Sequence, residues 1–488
     1  MNENIAKRIS FHQMYELMKY LDEAKEKQKG KSTKMKKILL ILTMLIPMAV
    51  MAQDFKLTMK FSHYKPQKVR LAHFFEDKQY LDIDSAHQNG NTVWFEGEGE
   101  LYPGIYSIIL NDSGTSFEIL VDHDNQFMTF KCDVNDIQQT MKVSGSELNS
   151  RFFDYQRTMT DFNRRRANLD TLRRQALDTT GGRRPDSAKA EDYKSQADRI
   201  VEYIQDFTQK TIKDNKGNLL ADMLDCMDAS ELPLDKMYDH INFAQKGLIR
   251  SPFLVKALFK HIARSIEDNQ YEIIRKNDML LAKTKVDDHM FHYVSGYLLN
   301  FYRTFFKGGI NEVFVHLADN YFLNAPEDEL SPENRQMIQE QRDIFASSMV
   351  GSKAHPIRMR RTIEGDSIDV LSSHDGTIFL LFWSNGCGHC DTAEKKLMEV
   401  YDGLLKNNIK VISVNNDKHS YEVLRANAVK KDFPWTDVCD TDDANTRYRE
   451  YYYVVSTPIM YIIDTNKRIV QKCVGEDQIG EIAQRMSE

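Results

Sequence analysis

The chain has 488 residues, of which 41% are hydrophobic and 28% are charged, and its formal net charge is −7. Domains typically contain about 150 residues, so we expect a chain of this length to form roughly two to four domains. The acidic balance argues against nucleic acid as a partner, because nucleic-acid binding requires a basic face. Six cysteines are too few to form a scaffold of disulfides in a chain of this length.

The N-terminal region contains a basic pair, Lys36 and Lys37, followed by an apolar run over residues 38–46, then Pro47, and a small residue, Ala52, before Gln53. This order is typical of a secretory signal peptide, which we predict over residues 35–52. The apolar run is too short for a comfortable membrane span. We therefore expect a mature chain with no stable membrane span, exported to the periplasm of a Gram-negative-type cell or secreted.

The charged stretch ahead of this segment is unusually long for a signal peptide. We predict that Met35 is the true start and that residues 1–34 are a mis-start or a leader; the alternative is a cytoplasmic amphipathic helix ahead of a signal anchor. Removal of residues 1–52 takes away ten basic and five acidic residues, which leaves 55 basic and 67 acidic residues and a net charge of −12.

Residues 53–146 have the pattern of an all-β module. Short stretches with alternating apolar residues, such as residues 55–61, 104–110 and 127–132, are separated by turns rich in Asn, Asp and Gly. Closely spaced short strands of this kind predict a sandwich-like module.

Residues 147–348 change to the three- and four-residue apolar spacing of amphipathic helices, as at Phe152, Met159 and Phe162. We predict a central α-helical domain over these residues. Its place between the β module and the C-terminal region leads us to expect that it presents the C-terminal domain to substrates or supports a homodimer.

The most informative motif is Cys-Gly-His-Cys at residues 387–390, which closely follows an apolar run over residues 377–383. The run predicts a buried strand, and the intervening residues 384–386 predict a tight turn. Helical spacing then places the first cysteine at a helix N-terminus, where unpaired N–H groups and the helix dipole favour a thiolate. Two cysteines at this spacing can close and reopen a disulfide across the first helical turn.

The segments after the motif predict further strands over residues 410–415, 459–464 and 469–474 and a closing helix over residues 478–486. The resulting order is strand, helix, strand, helix, a strand preceded by Thr-Pro, another strand and a helix. This order predicts a C-terminal α/β domain.

These elements resemble the thioredoxin-like family, in particular its periplasmic branch of thiol–disulfide oxidoreductases. The matching residues are Phe382, Trp383, Cys387, Gly388, His389, Cys390, Thr457 and Pro458. The resemblance covers residues 349–488 and implies a thioredoxin fold, so we predict a multidomain chain with this domain at its end. The string at residues 101–106 resembles the β module that precedes such domains in bacterial exported proteins.

The resemblance implies roles for individual residues. Cys387 would attack a substrate disulfide, Cys390 would resolve the mixed disulfide, and His389 would assist. The expected substrate-binding residues are Trp383, Gly386, Thr457 and Pro458. In this family the proline is cis and packs against the disulfide.

Two positions depart from the family pattern. Many thioredoxins carry a buried Asp where this chain has Leu381, and a Trp where it has Gly386. Glu394 is a candidate substitute for the missing acid, although we favour a solvated helix carboxylate at this position. His389 can stabilise the Cys387 thiolate, which places the redox couple between about −270 mV for thioredoxin and about −120 mV for strong oxidants.

The leading functional hypothesis is therefore an exported protein-disulfide reductase or isomerase that needs no cofactor and no metal. Its expected partners are protein thiols or disulfides and an unidentified redox partner. The alternatives are a non-enzymatic envelope binding or scaffold protein, or a protein that holds a soft metal through Cys387, His389 and Cys390.

Overall fold

The structure is a computed structural model. It describes residues 54–110, 115–180, 183–266, 269–304, 311–326, 329–440 and 447–488. The predicted leader at residues 1–34 and signal peptide at residues 35–52 lie outside the described residues.

Contacts divide the chain into two compact units. One unit holds residues 54–266 and Met279–Val294, and the other holds residues 269–278 and Ser295–Glu488, as far as these are described. The helical region is thus shared between the units. The domain boundaries after residues 146 and 348 stay predictions.

The first unit begins with strands that form two sheets. The strands are β1 (Phe55–Ser62), β2 (Val69–Phe75), β3 (Lys78–Ile83), β4 (His87–Asn89), β5 (Thr92–Gly97), β6 (Gly104–Leu110), β7 (Thr115–Val121), β8 (Phe127–Asp133) and β9 (Lys142–Ser144). One sheet has the order β4-β5-β1-β8-β9 and the other β3-β2-β6-β7. Within the first sheet, β1 pairs with β5 in antiparallel and with β8 in parallel orientation.

The two sheets share one core. Leu57 and Phe130 from the first sheet pack in the same cluster as Leu71, Tyr106 and Ile119 from the second, and each is fully buried. Alternate residues of each strand therefore point inward between the sheets, which is the arrangement of a β-sandwich.

Apart from α1, which lies between β8 and β9, the helical elements follow the strands of the β-sandwich. They are α1 (Ile137–Thr140), α2 (Glu147–Leu177), α3 (Ser187–Asp214), α4 (Leu219–Ala229), α5 (Leu234–His240), α6 (Pro252–Ala263), α7 (Gln270–Thr284), α8 (Asp288–Thr304), α9 (Asn311–Ala318) and α10 (Pro332–Ser347). Helices α2 and α3 pack together, with the Tyr155 and Phe207 rings stacked at 5.7 Å between centroids. Across the described ranges, each helix is too short or too polar to cross a membrane.

The C-terminal region of the second unit is built on a seven-stranded sheet. Its strands are β10 (Arg358–Arg361), β11 (Ser367–Asp369), β12 (Thr377–Trp383), β13 (Ile409–Asn415), β14 (Thr436–Cys439), β15 (Ile459–Ile463) and β16 (Ile469–Val474). Its helices are α11 (Gly388–Lys406), α12 (Tyr421–Lys431), α13 (Tyr448–Tyr451) and α14 (Gly475–Ser487).

The sheet order is β11-β10-β14-β13-β12-β15-β16. Strands β12, β13 and β14 run parallel, whereas β15 and β16 are antiparallel neighbours on the other side of β12. Alternation along β12 sends Phe379 and Leu381 into a core shared with α11 and α14, and Leu380 and Phe382 into the core on the opposite face. Helix α11 therefore lies directly over the face that carries Leu381 and Trp383.

The predicted fold class is confirmed: an N-terminal β-sandwich-like module, a central helical region and a C-terminal α/β thioredoxin-like domain. The sequence patterns did not predict β10, β11 or β14. These strands have only three or four residues, which is too short for periodicity to distinguish a strand from a loop.

Candidate functional site

The Cys-Gly-His-Cys motif forms the start of α11: Cys387 immediately precedes Gly388, the first residue of the helix, and residues 384–386 connect it to the end of β12 at Trp383. Cys387 and Cys390 form a disulfide, with their Cα atoms 5.2 Å apart. Cys387 is the N-cap of α11, and its sulfur accepts a hydrogen bond from the backbone N–H of Cys390 at 3.2 Å. The helix N-terminus is thus directed at this sulfur, as the sequence predicted.

The two sulfurs differ in access. Cys387 is half-buried, whereas Cys390 is fully buried beneath the first helical turn. The preceding Gly386 has a φ of +75°, and no atom lies within 4 Å of where a Cβ would be. The turn ahead of Cys387 therefore leaves open space beside this sulfur, and the role of Gly386 in substrate binding stays a prediction.

The Thr-Pro step, 70 residues further along the chain, lies against the motif. The Thr457–Pro458 peptide bond is cis. The Cys387 Sγ is 3.6 Å from the Thr457 carbonyl oxygen, and the Thr457 hydroxyl is 3.9 Å from the same sulfur. The structure thus brings together the two motifs on which the resemblance depended.

His389, between the two cysteines, is exposed. Its Nδ1 lies 2.7 Å from the Oε1 of Glu476, a residue in the first turn of α14. This carboxylate raises the pKa of His389, and the imidazole in turn lowers the pKa of Glu476. Sequence reasoning missed Glu476, because 87 residues separate it from its partner.

Trp383 does not lie at a surface that a substrate could reach. Its side chain is completely buried, and its Nε1 donates a hydrogen bond to Asp437 Oδ1 at 2.9 Å. Any part that Trp383 has in substrate binding is therefore indirect, and it stays a prediction. Trp383 is the last residue of β12 and lies on the face of the sheet that α11 covers. Its ring therefore supports the active-site turn from the core side.

Glu394 follows Cys390 by one helical turn, so both side chains lie on the same face of α11. Its side chain is 3% exposed and forms an ion pair with Lys431, at the end of α12. The interpretation of Glu394 as a solvated helix carboxylate is therefore wrong. Burial is the main reason that its pKa rises to about 7, although Lys431 opposes the shift.

Lys431 connects several groups under the motif. Besides Glu394, it forms an ion pair with Asp391, and its ammonium lies 5.0 Å from the centroid of the Trp383 ring. Burial lowers its pKa, but the two carboxylates outweigh this effect and raise it. The ammonium is therefore charged, and it balances part of the negative charge beneath the active-site helix.

Asp437 on β14 is a second buried acid on this face of the sheet. Its Oδ1 accepts hydrogen bonds from Trp383 Nε1 and from the Ser413 hydroxyl at 2.5 Å, and Trp435 Nε1 donates to the same hydroxyl at 3.0 Å. Burial raises the pKa of Asp437 to about 6, whereas the hydrogen bonds act in the opposite direction. An acidic residue between Trp435 and the apolar pair Val438-Cys439 is the sequence sign that could have pointed to it.

The remaining cysteines have no part in this arrangement. The other four cysteines are buried free thiols: Cys132, Cys226, Cys439 and Cys473. Burial raises the pKa of each thiol, to about 11 for Cys439 and about 12 for Cys473. Such thiols are poor nucleophiles at neutral pH. Within the described part of the chain, no group of three or more His, Cys, Asp or Glu residues could hold a metal ion.

Comparison with known proteins supports the fold of this domain. A family model described as thioredoxin-like matches residues 375–469, which include the motif and the Thr-Pro step. Among curated proteins, none matches the chain significantly. The assignment of a thioredoxin-like domain rests on this family model together with the strand order of the sheet.

Several solved structures are similar at low identity. The thioredoxin domain of a thiol-disulfide oxidoreductase from Bacteroides vulgatus is 20% identical, covering 29% of this chain and 99% of that chain with a TM-score of 0.26. A thiol:disulfide interchange protein from a Bacteroides species is 21% identical, covering 28% and 90%, with a TM-score of 0.26. A thioredoxin-like protein from Bacteroides caccae is 15% identical, covering 53% and 91%, with a TM-score of 0.39.

Proposed function

We propose that this chain, whose residues 375–469 match the thioredoxin-like family, is a thiol–disulfide oxidoreductase that acts as a reductase or isomerase of protein disulfides. One observation carries the proposal. The Cys387–Cys390 disulfide lies at the start of α11 with one sulfur half-exposed beside the Thr457 carbonyl and the other fully buried. This asymmetry is what an attacking thiol and a resolving thiol require.

The attacking thiol is Cys387. The N-terminus of α11 and the N–H of Cys390 stabilise negative charge on its sulfur, and both effects lower the pKa of a thiol. The neighbouring His389, whose pKa Glu476 raises, adds a positive charge on the same turn when it is protonated. All three effects favour the thiolate of Cys387 in the reduced domain.

The reaction transfers two electrons from the dithiol to the substrate. The Cys387 thiolate attacks one sulfur of a substrate disulfide, so that a mixed disulfide forms and the first substrate sulfur leaves as a thiolate. Cys390 then loses its proton and attacks the Cys387 sulfur, which releases the second substrate thiolate and closes the Cys387–Cys390 disulfide. The domain is oxidised, the substrate is reduced, and the substrate thiolates take up two protons.

Glu394 is the group we propose to accept the Cys390 proton. It lies one turn from Cys390, it is buried, and its pKa of about 7 matches the task of a base at neutral pH. Lys431 balances its charge once the proton has moved on. In this proposal, Glu394 on α11 takes the role of the buried Asp that many thioredoxins carry at the position of Leu381.

The Thr457 backbone is the group we propose to hold the substrate chain. Its carbonyl oxygen faces the Cys387 sulfur at 3.6 Å, where an extended substrate segment can form strand-like hydrogen bonds. Pro458 is buried behind it, so its part in substrate binding is to fix the direction of this backbone.

We also propose that the chain acts after export to the periplasm or secretion. The support is the basic, apolar and small-residue order over residues 35–52, together with the preference of thiol–disulfide chemistry for oxidising compartments. Cell fractionation of a full-length tagged chain tests the compartment, and mass determination of the N-terminus tests cleavage near Ala52. An intact cytoplasmic chain would contradict export but not the chemistry.

A reduction assay tests the proposed chemistry. The reduced full chain should accelerate the reduction of insulin disulfides by dithiothreitol, and Cys387→Ser should abolish the acceleration. Cys439→Ala is the matched control, because this thiol is buried with a pKa raised to about 11, and it should retain the activity. Equal rates of insulin reduction with and without the wild-type chain would contradict the proposal. If such an inactive chain bound zinc or copper stoichiometrically, the soft-metal alternative would be favoured.

The partners are proposed to be protein disulfides, a redox partner that restores the dithiol and a second copy of the chain. Cys390→Ser leaves the mixed disulfide unresolved, so it should trap substrates as dithiothreitol-sensitive adducts, whereas Cys387→Ser should not. Light scattering of the purified chain tests the proposed homodimer, and a monomer at micromolar concentration would contradict it.

A further inference from the structure

The contact between His389 and Glu476 joins the variable part of the motif to the closing helix. His389 occupies the second position between the two cysteines, and its side chain is 76% exposed. Because the side chain is so exposed, packing against other residues does not fix the orientation of the imidazole ring. The Glu476 carboxylate lies 2.7 Å from the ring Nδ1, within hydrogen-bond distance.

Glu476 is itself held in place from several sides. Its side chain is 24% exposed, and it lies in the first turn of α14, directly after Gly475, whose φ is +78°. Lys396 on α11 donates to the Glu476 carbonyl at 3.4 Å and forms an ion pair with Asp477 at 3.0 Å. Helices α11 and α14 also pack against each other over the core face that includes Leu397 and Ile479.

We propose that Glu476 is a positioning residue that holds the imidazole of His389, 2.7 Å from its carboxylate, within the active-site motif and thereby sets the equilibrium between the disulfide and the dithiol. The inference rests on the proposed function, because it assigns a determinant of the redox equilibrium for the same cysteine pair. It requires Glu476 to act through His389 rather than on the sulfurs directly.

The expected direction follows from charge. An unpaired histidine has a pKa of about 6.5 and is mostly neutral at pH 7.5, whereas the Glu476 carboxylate raises the pKa of His389. A charged imidazole stabilises the Cys387 thiolate and hence the reduced form. The groups that act on His389 are Glu476 and Asp477 of α14, and Lys396 neutralises part of the charge of Asp477.

The test is equilibration of the full chain with glutathione. In this reaction the protein dithiol and oxidised glutathione give the protein disulfide and two molecules of reduced glutathione, with two electrons and two protons transferred. Glu476→Gln should favour the disulfide about two- to fivefold at pH 7.5, the range expected for one exposed ion pair. At 29.6 mV per tenfold this is a fall of about 10–20 mV in the reduction potential.

Three further variants make the test specific. Asp477→Asn is the matched control, since this carboxylate is adjacent in sequence but pairs with Lys396, and it should shift the equilibrium clearly less than Glu476→Gln does. His389→Ala should favour the disulfide by an amount similar to Glu476→Gln. In the His389→Ala background, Glu476→Gln should have no further effect or should slightly favour the dithiol, because it then only removes a negative charge.

A spectroscopic measurement separates a structural from an electrostatic role. The pKa of His389, followed by NMR of its ring proton, should be raised in the wild type and should return towards the ordinary value in Glu476→Gln. An equal glutathione shift with and without His389, or no shift despite a changed His389 pKa, would overturn the inference. A wild-type chain that does not equilibrate with glutathione at all would instead overturn the proposed function.

Discussion

The Glu394 carboxylate, on the buried face of the helix that carries the active-site disulfide, forms an ion pair with Lys431 of α12. Removing a carboxylate from water disfavours its charged form, whereas a nearby ammonium favours it. Burial has the larger effect here, so the pKa of Glu394 rises to about 7. The carboxyl group can therefore both take and return a proton at neutral pH.

The first prediction concerns the rate of disulfide exchange. Glu394→Gln should slow the second step, the attack of Cys390 on the mixed disulfide, by about tenfold or more, since a positioned general base typically contributes about 10²–10⁴. Stopped-flow mixing of the reduced chain with a model disulfide, observed by the fluorescence of the tryptophans, measures this step. Asp391→Asn is the matched control, because Asp391 also pairs with Lys431 but is 60% exposed. Equal rates for Glu394→Gln and the wild type would remove Glu394 from the mechanism.

The second prediction concerns stability against pH. The pKa of Glu394 is about 7 in the folded chain and about 4.3 in an unfolded one. Between these values the folded state binds more protons than the unfolded state, so this group lowers the free energy of unfolding as the pH rises from about 4.5 to about 7. We expect a contribution of about 1–3 kcal/mol. Urea unfolding at several pH values should show that Glu394→Gln weakens this dependence, and an unchanged dependence would contradict the raised pKa.

The third prediction concerns Trp383. Replacement by Phe removes the hydrogen bond from Nε1 to the buried Asp437 and should lower the free energy of unfolding by about 1–3 kcal/mol, since a buried charged group loses a donor. Urea denaturation measures the change. In an Asp437→Asn background the same replacement should cost less, because no charge is left without its donor. An equal cost in both backgrounds would show that Trp383 acts by packing alone.

The fourth prediction concerns the β-sandwich. The buried Asn149 on α2 accepts a hydrogen bond from the Leu120 N–H at 2.8 Å and donates to the Leu120 carbonyl at 2.7 Å. Asn149→Ala leaves both backbone groups unpaired, so the free energy of unfolding should fall by about 2–3 kcal/mol. The matched control is Asn135→Ala, whose side chain makes only exposed hydrogen bonds and whose loss should cost within about 0.5 kcal/mol. Similar losses for both variants in thermal or urea unfolding would contradict this account.

Sequence reasoning anticipated the elements that long periodic segments encode. The strand at residues 377–383 is observed over the same residues as β12, and the strand expected at residues 469–474 is observed as β16. The closing helix expected over residues 478–486 is observed as Gly475–Ser487. These segments were recognisable because each buries one apolar face. Apolar residues therefore recur along the sequence at the spacing of the strand or helix.

The side chains around the disulfide were anticipated only in part. The meeting of Cys387 with Thr457 could be expected from the resemblance, since both motifs recur together in the family. The burial of Trp383 and Glu394 could not, because a single chain does not reveal which residues cover a given side chain. A glutamate on a helix is exposed in most proteins, and here Lys431, on another helix, changes that outcome.

The sequence by itself determined the chemistry of the site: two cysteines at the spacing of one helical turn, a histidine between them and a strand that delivers them to a helix N-terminus. Each of these features is local, so the order of residues along the chain is enough to specify it. Only the tertiary structure decided which charges act on the cysteines. Glu394, Lys431, Asp437 and Glu476 come from separate helices and a strand, and their pKa values depend on burial and on partners distant in sequence. Electrostatic energies depend on distance and on exclusion of water, and folding alone sets both.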